Sequence, residues 1–223
     1  MLKPKKKITR QELKEDKLVK TTLQIKNYLE ENNKLVMYII VGILAAVLII
    51  TWYRFSSQKA SQEANAQLGI AQIDFTNANY DKAISRLRNL IQEYNSTPEA
   101  KQALFLLANI YFQYEDYRQA KEYFEKFVDT YSGSDILLSS GYAGLAACYE
   151  TEKNFKEAGR LYEKAGKTAS EFVESENYYY LAGICYKKAG DRSKAKEQFE
   201  TLINDSKSGK RTKDAESQLL LLQ

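Results

Sequence analysis

Asp116-Tyr117-Arg118-Gln119-Ala120 is one of four versions of a single phrase, the others being Asn79-Tyr80-Asp81-Lys82-Ala83, Asn154-Phe155-Lys156-Glu157-Ala158 and Asp191-Arg192-Ser193-Lys194-Ala195. Successive copies lie 37 or 38 residues apart, a period that belongs to stacked helical hairpins. Each copy opens on Asn or Asp, whose side chain can accept from the unpaired N–H groups of a helix's first turn. Four helix starts in one register are therefore predicted. Apolar side chains follow each start at helical spacing: Ile84, Leu87, Leu90 and Ile91, then Tyr123, Phe124 and Phe127, then Leu161, Tyr162 and Ala165, then Phe199, Leu202 and Ile203. Upstream of the phrases lie further apolar helical runs, clearest at residues 103–112 and repeated at 141–149 and 178–186. Each unit thus reads as a hairpin of a first and a second helix, and one hairpin alone cannot bury its apolar face.

Working outward, residues 35–53 read LVMYIIVGILAAVLIITWY, without a charge. At ~1.5 Å rise per residue such a run matches a hydrocarbon core of ~30 Å. Lys34 and Arg54 bracket it, and Tyr38, Trp52 and Tyr53 lie near its ends, where amphipathic rings favour the headgroup layer. The run is longer than the apolar core of a cleavable signal, its leader is long, and no convincing A-x-A site follows. Residues 1–34 carry a net charge of about +5 and the rest of the chain is close to neutral. The bias predicts a cytoplasmic N-terminus and an extracytoplasmic repeat domain. In the leader, Thr9-Arg10-Gln11-Glu12 has the capping-box pattern, and Leu13, Lys17, Thr21, Ile25 and Leu29 follow at helical spacing. A short amphipathic helix on the inner membrane surface and a basic topogenic tail both fit this narrow stripe. Gly42 and Ala46 form a small-xxx-small pair that lets another membrane helix approach.

The expected organisation is a basic cytoplasmic tail at 1–34, a transmembrane helix at 35–54, a helical connector at 55–63 and the repeat domain at 64–223. The fold class is all-α, with about four hairpins and a C-terminal capping helix ending in Leu219-Leu220-Leu221-Leu222. The chain has no histidine, which excludes an imidazole base or metal ligand. No phosphate-cradling glycine loop or Cys–His pair occurs, so neither catalysis nor a cofactor is expected. Interleaved Lys, Asp and Glu read as solvated helix surface, with no basic patch for nucleic acid and no small-molecule site. Cys148 and Cys185 occupy equivalent sites in adjacent repeats. Stacked helices about 8–10 Å apart hold such sites beyond unstrained disulfide reach, so two free thiols are predicted.

Leu104, Leu107, Ala108, Tyr111, Ala120 and Phe124 resemble the tetratricopeptide-repeat (TPR) pattern of large, small and aromatic positions on two helices. Tyr142, Leu145, Ala146, Tyr149, Ala158 and Tyr162 form a second copy, and Tyr179, Ala182, Gly183, Tyr186, Ala195 and Phe199 a third. A degenerate first copy holds Ile70, Ala71, Asp74, Ala83 and Leu87. The family consensus is shorter, and the extra residues are expected to lengthen helices or the linkers at 96–98 and 131–134. The layout of basic tail, membrane helix and outer TPR domain is similar to the YfgM-like ancillary subunits of the bacterial Sec translocon. That resemblance implies residence in the inner membrane with a periplasmic TPR domain, and as partners translocon subunits, a periplasmic chaperone or unfolded clients. A structural scaffold organising a cell-division or outer-membrane-assembly complex is the alternative. TPR domains commonly bind partners on the concave face lined by first helices. The resemblance places Leu68, Gln72 and Phe75 there in the first hairpin, Phe105, Asn109 and Phe112 in the second, Ala147 and Glu150 in the third, and Tyr180, Ile184 and Lys187 in the fourth.

Overall fold

The computed structural model describes residues 10–206 and 208–222. Among the described residues every regular element is an α-helix, ten in all. The chain divides into two units, one ending at Ser56 and the other beginning at Ser57.

The first unit holds α1 (Arg10–Glu31) and the opening part of α2 (Asn33–Thr76). Among the described residues α2 is the one helix long and apolar enough to cross a membrane, and its apolar window is wholly unburied. Thr9 of the capping box lies outside the described residues.

The second unit is the repeat array. The end of α2 pairs with α3 (Tyr80–Glu93), α4 (Pro98–Gln113) with α5 (Tyr117–Thr130), α6 (Asp135–Thr151) with α7 (Phe155–Thr168), and α8 (Glu174–Lys188) with α9 (Arg192–Asn204). The short α10 (Thr212–Leu220) follows and packs on α9.

Within each hairpin the turn is closed the same way. Ala78, Glu115, Lys153 and Gly190 take left-handed φ values of 57°, 60°, 59° and 80°. The next N–H then reaches back to the carbonyl of Asp74, Tyr111, Tyr149 or Tyr186 at 2.8–3.0 Å. This is a Schellman closure, and the residue that completes it also starts the second helix. Asp116, Asn154 and Asp191 cap that helix by accepting from Gln119, Glu157 and Lys194 N–H at 3.1, 3.4 and 3.1 Å. Asn79 departs from the predicted register of four caps: its side chain makes no capping bond. There the charge of Asp81 in the first turn of α3 compensates the free N–H groups. In the linker at 96–98, Thr97 caps α4 by accepting from Ala100 N–H at 3.2 Å, with Pro98 opening the helix.

Small residues let the helices close on one another. Ala83, Ala120, Ala158 and Ala195, the ends of the four phrases, are all fully buried. On α6, Gly141 and Gly144 sit under the rings of Phe127 and Phe124 of α5. A β-carbon at either glycine would lie 2.4 Å from a ring carbon, so no side chain fits without displacing the ring. Burying one such ring contributes roughly 1.5–3 kcal/mol. Cys148 and Cys185 are buried and free, as their equivalent positions required. One cluster runs from Leu68 to Cys185, and a smaller one joins Tyr186, Phe199, Leu202 and Ala215 at the C-terminal end.

Candidate protein-binding face

Among the first helices, α2 is tied to α4 and α6 to α8 by bonds that share a 38-residue offset. Ser61 donates to Glu99 at 2.8 Å, Ser140 and Tyr178 share a contact at 3.4 Å, and Lys188 donates to Glu150 at 2.9 Å. A second ladder joins α4, α6 and α8 each to the preceding second helix. The phenols of Tyr149 and Tyr186 donate to Glu125 and Glu163 at 3.4 and 2.8 Å, and Tyr111 accepts from Arg88. Burial, and then the bond to Glu163, raise the Tyr186 pKa, so this phenol stays a donor.

The residues expected on the concave face divide into three groups. Leu68 is a correction: it is 4% exposed and belongs to the core. It lies one helical turn from Ala64 and near Ala71, both fully buried, so it falls on the α2 face that the hairpin covers. Phe75, Phe105 and Phe112 are half-buried rings with intramolecular partners. Phe75 meets Tyr80 edge-on at 5.8 Å, Phe105 packs on Phe124 and Phe127 at 6.0 and 5.2 Å, and Phe112 meets Tyr117 at 5.2 Å. Asn109 spends its amide on the Phe105 carbonyl at 2.8 Å.

Gln72 is exposed and Ala147 half-buried. Beside Ala147, Glu150 ties three helices, accepting from Tyr162 of α7 at 3.3 Å and from Lys188 of α8. The bond to Glu150 raises the Lys188 pKa against the effect of burial, while burial raises that of Tyr162, so both stay donors toward Glu150. Lys188, missed in the sequence reading, is recoverable from its 38-residue offset to Glu150.

Tyr180, Ile184 and Lys187 of α8 are covered from the C-terminal side. The Arg211 guanidinium lies 4.9 Å over the Tyr180 ring and donates to Asn177 at 3.0 Å. Lys187 donates to Gln218 of α10 at 2.9 Å. Ile184 packs in the smaller cluster with Leu219 and Leu222. The sequence identified α10 as a cap, but not that its approach takes up this part of the face. What Arg211 and α10 do not take up is the part of the face on α4 and α6, where Ala147 is half-buried.

No curated protein matches the chain significantly. Among solved structures, MamA superposes with a TM-score of 0.54 at 22% identity, over 69% of this chain and 82% of its own. BtubC (BKLC) from P. vanneervenii gives 0.54 at 18% identity, over 75% and 80%. The apo form of RapI gives 0.56 at 14%, over 71% and 60%. At these identities the likeness is one of fold. The tetratricopeptide repeat-like domain family matches residues 26–220, most of the chain and all four hairpins. This chain therefore belongs to the tetratricopeptide repeat-like domain family.

Proposed function

We propose that this chain is a membrane-anchored adaptor that binds other proteins through its TPR array and catalyses no reaction of its own. The observation that carries the reading is the face of first helices, where small and apolar side chains around Ala147 are flanked by the Glu150–Lys188 bridge. Such a surface takes extended or helical segments with apolar side chains, with a few buried contacts supplying most of the affinity. The apolar stretch of α2 crosses the membrane once, and the positive leader keeps the N-terminus cytoplasmic and the array periplasmic. The layout supports a place beside the Sec translocon, with translocon subunits, a periplasmic chaperone or emerging unfolded clients as partners.

A photoreactive side chain at Ala147 of the full chain in detergent should crosslink a reduced, alkylated secretory polypeptide. Ala147→Arg should weaken that binding about ten-fold, the worth of ~1.4 kcal/mol in one central contact, with unchanged helical ellipticity. Undiminished binding by a folded Ala147→Arg variant would remove the face from the reading.

A further inference from the structure

The repeats carry equivalent positions, and one stripe of them behaves differently in the first hairpin. Ile73, Ile110, Cys148 and Cys185 stand at the same place on α2, α4, α6 and α8. The last three are 0%, 0% and 1% exposed, whereas Ile73 is 59% exposed. One step away, Leu107, Leu145 and Ala182 are 0%, 5% and 0% exposed, and Ile70 is 41%. Gly69 corresponds to Gly144, the glycine under the Phe124 ring, yet nothing lies within 4 Å of where its β-carbon would be. Ala66 likewise corresponds to Gly141, which sits under Phe127. In later hairpins this stripe is covered by the second helix of the preceding hairpin, and α2 has no preceding hairpin among the described residues.

We propose that the Ala66–Gly69–Ile73 stripe of α2 is a second docking surface, and that it receives an amphipathic helix from a partner protein in the way α6 receives α5. The continuity of the interface defines the occupant. It is a helix with aromatic or large aliphatic side chains three residues apart, as Phe124 and Phe127 are, one ring seating on Gly69 and the next beside Ala66. A second copy joined head to tail does not meet that description. Its C-terminal end is closed by α10, which packs on α9 as a further first helix and so leaves no second helix to offer. A mid-helix glycine costs ~1 kcal/mol relative to alanine, and close approach of a ring accounts for its presence on an uncovered face.

The probe is a synthetic peptide with the sequence of residues 116–131, carrying a photoreactive phenylalanine at the Phe124 position, added to the full chain in detergent. Crosslinks are expected within residues 66–76, to be competed by unlabelled peptide but not by unlabelled peptide with alanine at the Phe124 and Phe127 positions. Gly69→Leu and Ile73→Lys, both on the exposed face, should each lower affinity at least about ten-fold, or ~1.4 kcal/mol, with unchanged ellipticity and no loss of melting temperature. Ala147→Arg should leave it unaltered, which separates this surface from the face of first helices. Three results overturn the proposal: crosslinks at Gly144, meaning the peptide replaces α5; crosslinks elsewhere that Gly69→Leu does not affect; or a dimer by light scattering that Ile73→Lys converts to monomer, meaning a second copy already fills the stripe.

Discussion

Alanine at Gly69 and at Gly144 should have opposite effects on stability, although the two glycines hold the same place in their repeats. At Gly144 the new β-carbon would lie 2.4 Å from Phe124 Cζ, and that ring is 1% exposed, with Phe105 packed against it at 6.0 Å. The ring cannot swing into solvent, so either it or α6 must shift, and overpacking of this kind costs roughly 1–3 kcal/mol. Replacing a helical glycine returns about 1 kcal/mol of propensity, leaving a net loss of up to roughly 2 kcal/mol. At Gly69 no atom lies within 4 Å, so only the propensity gain remains, about 0.5–1 kcal/mol. For an array of this size 1 kcal/mol moves the melting temperature by about 2–4 °C. Gly144→Ala should melt lower than the parent, by as much as about 8 °C, and Gly69→Ala about 1–4 °C higher. Circular dichroism melts of the full chain in one detergent, with the double mutant to test additivity, give the comparison. A destabilised Gly69→Ala would mean that the α2 stripe is already covered, and a stabilised Gly144→Ala would mean that Phe124 does not rest on that glycine.

Other expectations follow from the same packing. Burial pushes the Cys148 and Cys185 thiols up to about 12, so alkylation at pH 8 should be slow in the native protein and fast in denaturant, measured by intact mass. These thiols ionise in the unfolded chain from about pH 9 but not in the folded one, so stability should decline as pH rises from there towards 12. Urea titrations at pH 8 and 10.5 test the sign, and a smaller decline in a Cys148→Ala, Cys185→Ala variant gives the thiols' share, the rest coming from buried phenols such as Tyr162 and Tyr186 whose pKa burial also raises. Glu150→Ala removes the acceptor shared by Tyr162 and Lys188 and should cost about 1–2 kcal/mol, read as a lower urea midpoint; Glu150→Gln should recover part of it. Phe105→Ala should cost roughly 2–4 kcal/mol because its ring contacts Phe124 and Phe127, and a loss below about 1 kcal/mol would identify it as a free surface ring. Alkaline phosphatase joined after the array should be active in a bacterial host, and an inactive fusion would reverse the proposed topology.

Much of this protein is legible in its sequence because its structure is periodic and local. Helix starts, turn positions and first-helix stripes recur every 37 or 38 residues, and each is set by contacts within one hairpin. The free thiols follow from the period alone, since equivalent sites on stacked helices stand one helix diameter apart. Exposure is different, because it depends on what lies beside a residue in space. Nothing local distinguishes Gly69 from Gly144, or Ile73 from Ile110, yet one of each pair is open because α2 ends the stack. Leu68 reads as a groove residue and is core, and Tyr180 and Lys187 read as open and are engaged by Arg211 and Gln218 of the C-terminal segment. The sequence by itself determined the repeat, its helices and its apolar segment, through spacing and side-chain volume. Only the tertiary structure decided which faces remain uncovered, because burial in a stacked array is conferred by the neighbouring hairpin and not by the residue's own helix.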